Sequence, residues 1–396
     1  MTGALSALEL AWAVPLGREA AIPALARGTA LRPREALEHV VRDALQRPPC
    51  VVSFSGGRDS STVLALATFV ARRDGLPEPI PATNCFPGVP SSHENDWQEL
   101  VVRHLGLTEW VRLQFTDELD VIGPVASAVL RRHGLLAPFN SHFHVPLLEV
   151  AAGGALLTGI GGDELFEPTQ RAVLARLLYA RRLPRRRQLR ALARDALPRS
   201  VRARIIAGEP AFRSYSWLRP ATRAAIARAH AYWFAREPVS YAESVTGWWW
   251  PSRLLQCNLA AKRLIAADHD ALIAHPFADP RVLVAYGASR GAPGPPGRTW
   301  ALRELVGDLL PRNVIERSTK SSFDAAFWTG TARSFATGWT GSGVDPELVD
   351  PEALRREWAR SAPDGHSFAL LQQAFLASSN QPARAIAGGA GPGQTP

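Results

Sequence analysis

An apolar run, Cys50-Val51-Val52-Ser53-Phe54, passes directly into Ser55-Gly56-Gly57-Arg58-Asp59-Ser60-Ser61, and from Ser60 to Arg73 the apolar residues recur at helical spacing. Strand, glycine loop and helix follow one another without a spacer. Further strands are expected at residues 80–86, 110–115 and 155–158, and helices at 34–46, 93–105, 121–132 and 144–152. Strands alternating with helices predict βαβ units and a parallel sheet, in which ligands sit at the carboxyl ends of the strands. After about residue 168 strand signals fade and helical ones dominate to about residue 380, broken by Pro-rich linkers such as Gly291 to Gly297. The expected organisation is a lead-in at 1–33, an α/β core at 34–168, a mainly helical region at 169–387 and a disordered tail at 388–396.

Glycines directly after a buried strand let backbone N–H groups turn inward as an anion nest, and the following helix adds the positive end of its dipole. The loop hydroxyls can donate to phosphate oxygens. An acidic residue here would repel such a ligand unless a cation stood between them, which makes Asp59 a candidate magnesium ligand. The loop has no lysine and is neither a Walker sequence nor GxGxxG. The same spacing also suits a tight strand-to-helix turn with an Asp or Ser cap.

A second glycine loop, Gly159-Ile160-Gly161-Gly162-Asp163-Glu164, follows Ala155-Leu156-Leu157-Thr158. If its strand neighbours the first, Asp163 stands beside Asp59, and two carboxylates with a polyphosphate make a normal magnesium shell. Alone, the pattern equally fits a turn before a helix N-terminus with favourable acidic residues.

In this order the two motifs, SFSGGRDSS and LLTGIGGDELF, resemble the asparagine synthetase family of N-type ATP pyrophosphatases. His275-Pro276-Phe277-Ala278-Asp279 is similar to the family's PFLD, and Leu309 to Phe323 to its late segment ending in a lysine. The resemblance spans about residues 35–330. It implies a Rossmann-like sheet with a PP-loop, as in the adenine nucleotide α-hydrolases. It also implies ATP and Mg2+ as cofactors. By resemblance Ser53, Ser55, Gly56, Gly57, Asp59, Ser60, Ser61, Thr158 and Gly159 contact the nucleotide, Asp59 and Asp163 hold the metal, and Lys320 stabilises charge developing on phosphate or intermediate. The implied chemistry is adenylation of a carboxylate with release of pyrophosphate, then amide formation as an amine displaces AMP.

Two departures narrow the expectation. The chain begins Met1-Thr2, where glutamine-using relatives carry an N-terminal glutaminase domain with a cysteine nucleophile, so that domain is expected to be absent. Ile160 stands where asparagine synthetases have a glutamate that helps activate ammonia and β-lactam-forming relatives a tyrosine. This favours similarity to the lasso-peptide cyclases, which join a side-chain carboxylate to the peptide's own N-terminal amine. A ribosomal precursor peptide is then the expected carboxylate substrate, with a separate leader-binding or processing protein as partner. Ammonia-dependent asparagine synthesis and a non-catalytic ATP- or peptide-binding role are the alternatives. His269 and Asp270 are the candidates for the base that activates the amine.

The formal charge of +9 is carried almost wholly by arginine: of 45 basic residues only Lys262 and Lys320 are lysines. A lysine at a mechanistic position therefore stands out, since ammonium and guanidinium differ in chemistry. Ten arginines fall between Arg181 and Arg204, interrupted by Leu and Ala at helical spacing without aromatics, so a solvated helical face is expected ahead of the alternative, a surface for nucleic acid or an acidic leader peptide. His93, Glu94 and Asp96 read as an acidic helix start that could approach the site, and Trp248-Trp249-Trp250 as packing, with the wall of a peptide groove as the alternative. Cys50, Cys85 and Cys257 show no CxxC spacing, which argues against a disulfide framework or a zinc site. No apolar run reaches the roughly 18 residues of a membrane span and no secretory signal is present, so the expected location is the cytoplasm.

Overall fold

The computed structural model describes residues 5–26, 28–166, 189, 193–194, 196–319 and 321–379. Five parallel strands form one sheet in the order β3-β2-β1-β4-β5: β1 is Cys50–Ser53, β2 Ile80–Cys85, β3 Val111–Gln114, β4 Ala155–Leu157 and β5 Leu272–Ala274. The first four and their intervening helices, Arg58–Asp74, Asn95–Leu105, Pro124–His133 and Val145–Val150, fall where the apolar periodicity places them. β5 does not. Three residues, Leu272-Ile273-Ala274, are too short to register as a strand in a helical context, yet they pair with β4 in the register Leu156 opposite Ile273. The sheet is therefore completed from within the region expected to be helical.

Both faces of the sheet are covered, as a parallel sheet requires. Val52, Ala155 and Leu157 point into a core shared with the helices Pro33–Leu45 and Arg58–Asp74, whereas Val51 and Leu156 point into a second core with Leu147, Leu148 and Ile265. Trp248 and Trp249 are buried in the first core, and Trp248 stacks on Trp233 with centroids 5.2 Å apart. A third core joins Trp12 from the N-terminal lead-in to Trp217, Trp328, Trp358 and Phe368.

The lead-in thus has a definite structure. Its helix Ala7–Trp12 is capped by Ser6, and buried Glu9 receives Arg253 through Nε at 2.8 Å and Nη2 at 2.9 Å. Among the described residues no helix is long and apolar enough to cross a membrane. The expected tail, and most of the arginine run 181–204, lie outside the described residues.

Candidate active site

β1 and β4 are neighbours, with Val52 opposite Leu157, and the strand order reverses between them. That reversal is the topological switch point at which parallel sheets bind ligands, and both glycine loops leave the sheet there. Gly57 caps the helix Arg58–Asp74. The turn before it is tied by hydroxyls: Ser55 N donates to Ser60 Oγ at 3.3 Å, Gly57 N to Ser55 Oγ at 3.3 Å, and Ser60 Oγ to Gly57 O at 3.1 Å. Gly56 has φ +81°, and a Cβ there would lie 2.7 Å from Gln98 Cγ. Gln98 in turn donates to Ser55 O at 3.0 Å, so the loop is held from the side by the helix Asn95–Leu105.

The second loop lies directly on the first. A Cβ on Gly162 would fall 2.5 Å from the Asp59 carboxyl carbon, so only glycine permits this approach. Asp59 and Asp163 consequently face one another. A single guanidinium, Arg298 at the start of the helix Arg298–Val306, donates to both, Nη2 to Asp59 and Nη1 to Asp163. Burial pushes the Asp59 carboxyl up, the Arg298 guanidinium pulls it down, and the Asp163 charge adds to the rise. Glu164 is also pushed up, by burial and then by Asp163 and Asp59.

This donor set suits a divalent cation. The two carboxylates already share one positive group, and Asp59 Oδ1 is buried without a hydrogen-bond partner. No group of three or more His, Cys, Asp or Glu that could hold a metal occurs among the described residues. A cation held by Asp59 and Asp163 therefore needs further oxygens from nucleotide or water.

The remaining wall comes from the late segment. Arg317, almost fully buried, donates to both oxygens of Glu94 and to Gly56 O, the last at 2.7 Å. Ser321 N adds a bond to Glu94 Oε1 at 3.0 Å. Glu94 thus anchors the late segment to the phosphate loop, a role that its sequence position at a helix start does not reveal. Lys320 lies outside the described residues; Thr319 and Ser321 line the cavity.

The loops, Arg298 and this segment border an open cavity of about 640 Å³. Ser53, Ser55, Gly57, Asp59, Ser60, Thr158, Gly159 and Asp163 line it, as do Ile160, His144 and Arg298. Gly56 and Ser61 do not. Ser61 is fully buried, with its Oγ unpaired, because its position on the helix turns it into the core. His269 and Asp270 are also misplaced as candidates: they precede β5, at the amino edge of the sheet, opposite the loops. The PFAD segment is structural. Gly161 packs on the Phe277–Ala278 backbone, and Asp279 caps the helix Pro280–Arg290. The three cysteines are free, and burial raises each thiol, Cys50 to about 12.

A doubly covered parallel sheet with a polar cavity at the switch point of its central strands is the architecture of α/β nucleotide-binding enzymes. The model of the family described as asparagine synthase matches residues 32–378, and the chain belongs to that family. The match runs from the helix Pro33–Leu45 to the helix Phe368–Ser379, so it takes in the late helical core as well as the sheet. No curated protein sequence matches the chain significantly. Membership makes the protein an ATP-dependent, amide-forming ligase.

Proposed function

We propose that the protein adenylates a carboxylate with ATP, releases pyrophosphate, and joins the acyl group to an amine, the acceptor and donor lying in one peptide, as in lasso-type macrolactam formation. The observation that carries this reading is the contact of the two glycine loops, which sets Asp59 and Asp163 on a common cation beside a serine-lined turn. Asp59 and Asp163 would hold magnesium, which when bound neutralises phosphate charge and orients the leaving pyrophosphate. Ser55, Gly57 and Ser60 cradle phosphate oxygens at the positive end of the helix Arg58–Asp74. Lys320 and Arg298 supply the remaining positive charge toward the departing pyrophosphate. The acyl-adenylate formed there has to be kept from water until the amine attacks.

Ile160 lines the cavity and carries no proton-accepting group. This favours an amine delivered in place over free ammonia. The test is release of AMP and pyrophosphate with ATP and Mg2+, comparing aspartate plus ammonia with a synthetic peptide bearing a free N-terminal amine and an internal acidic side chain. Asp163→Asn serves as the blank. Asp163-dependent AMP with the peptide, and loss of one water from its mass, is the expected result. AMP only with aspartate and ammonia would establish asparagine synthesis, and no AMP under either condition would point to a non-catalytic binding role.

A further inference from the structure

Arg298 stands where the adenylation chemistry calls for a metal. Its Nη1 donates to Asp163 Oδ1 and its Nη2 to Asp59 Oδ2, so one guanidinium fills the space between the two carboxylates. A divalent cation on the same oxygens cannot coexist with it, because two positive groups would then meet at hydrogen-bond range. Binding of the one requires release of the other.

The pair is also incomplete on both sides. Asp59 Oδ1 is buried without a hydrogen-bond partner, and so is Arg298 Nε. A buried carboxylate oxygen and a buried guanidinium N–H left unmet are each costly. A cation carrying a phosphate would satisfy both, the cation at the Asp59 carboxylate and a phosphate oxygen at the guanidinium, whose planar fork suits phosphate. Arg298 lines the same cavity as the serine-lined turn, so its second partner would lie in the space it already borders.

The close approach of the loops explains why a resident cation is needed at all. With Gly162 against the Asp59 carboxyl, two carboxylates face one another, and without positive charge between them they would drive the loops apart. Arg298 supplies that charge from within the chain. Its helix is fixed, since Ala301, Leu302, Leu305 and Val306 are buried in the first core and Arg58 Nη1 donates to Thr299 Oγ1 at 3.3 Å. Exchange is therefore a movement of the side chain and not of the helix. The Asp59 and Arg298 side chains are 17% and 10% exposed, whereas that of Asp163 is 58% exposed. Solvent and ions reach Asp163 first, so the exchange begins there.

Resting on the reading of Asp59 and Asp163 as the metal-holding pair, we propose that Arg298 is a resident counter-ion. It occupies the cation site while no nucleotide is present, and passes to the phosphate oxygens when cation and nucleotide arrive together. The carboxylates then exchange one positive charge for two, and the guanidinium exchanges carboxylate for phosphate. No covalent bond changes. The protein thus takes up its cation with the nucleotide and not alone.

The test titrates the whole chain and its Arg298→Met variant with Mn2+ in the absence of nucleotide, reading bound cation by electron paramagnetic resonance. The variant is expected to bind Mn2+ at least about tenfold more tightly than the wild type, and adding Asp163→Asn to it should remove the gain. Mn2+ alone should raise the Tm of the variant and leave that of the wild type unchanged. Calorimetric titration with ATP at saturating Mg2+ should shift the other way, with the variant binding about tenfold or more weakly. The opposite signs decide the matter, because an ion pair that merely braces the fold would weaken both. Arg298→Lys keeps the charge but cannot bridge both carboxylates through a planar fork, so its Mn2+ affinity should also exceed that of the wild type, a readout that survives misfolding of the methionine variant. Mn2+ affinity no higher in either variant than in the wild type overturns the proposal, as does undiminished ATP binding by Arg298→Met. None of these measurements uses turnover. If they come out as expected while no carboxylate supports AMP formation, the exchange stands and the amide-forming reading falls.

Discussion

Replacing Lys262 with methionine should make the protein more stable, and by an amount that depends on pH. Burial moves the Lys262 amine from 10.5 to about 7 in the folded chain. The unfolded chain therefore binds this proton more tightly, and stability rises with pH between those two values. Below about 7 the penalty is complete. At roughly 1.4 kcal/mol per pK unit the 3.5-unit difference is worth about 5 kcal/mol, falling to about 4 at pH 7 and about 1 at pH 9.5. Methionine has a similar volume, fills the same space and carries no charge to desolvate, so packing losses should stay below about 1.5 kcal/mol. Urea unfolding of wild type and Lys262→Met at pH 7 and pH 9.5 measures the difference. A gain of about 3 kcal/mol or more at pH 7 that shrinks by pH 9.5 is expected. A destabilised variant, or a difference that does not change with pH, would refute the assignment of Lys262 as a buried, unpaired amine.

Glu94→Gln leaves Arg317 buried and short of its counter-charge, so a loss of about 3–5 kcal/mol in urea unfolding is expected; an unchanged midpoint would mean that the pair does not anchor the late segment. Gly162→Ala forces a methyl group against the Asp59 carboxyl and should abolish ATP binding, measured by calorimetry, while circular dichroism stays that of the wild type. Ser61→Ala removes a buried hydroxyl without a partner and should leave AMP formation intact, with stability equal or up to about 1 kcal/mol higher; a tenfold fall in AMP formation would place Ser61 at the nucleotide after all.

The two glycine loops were legible because their meaning is local. A buried apolar run, a positive-φ glycine and a following amphipathic helix are properties of a dozen adjacent residues, and four of the five strands share that character. Glu94 shows the limit of such reasoning. At a helix start an acidic residue is favourable in its own right, so nothing nearby distinguishes it from one that receives Arg317, 223 residues further on. Arg298 was invisible for a different reason: in a chain whose basic residues are nearly all arginine, one more carries no signal. His269 and Asp270 misled because proximity to the PFAD segment in sequence does not give the end of the strand between them. β5 runs through that gap and carries the two residues to the opposite edge of the sheet.

By itself, then, the sequence determined the parallel α/β core, the order of its two loops and the pairing of Asp59 with Asp163 as candidate ligands, since each follows from short-range periodicity and backbone chemistry. The tertiary structure alone decided which cations meet those carboxylates, which serines face the cavity rather than the core, and that Lys262 is buried beside His144 and His275. These depend on contacts between segments tens to hundreds of residues apart, and on a desolvation that only the completed fold imposes.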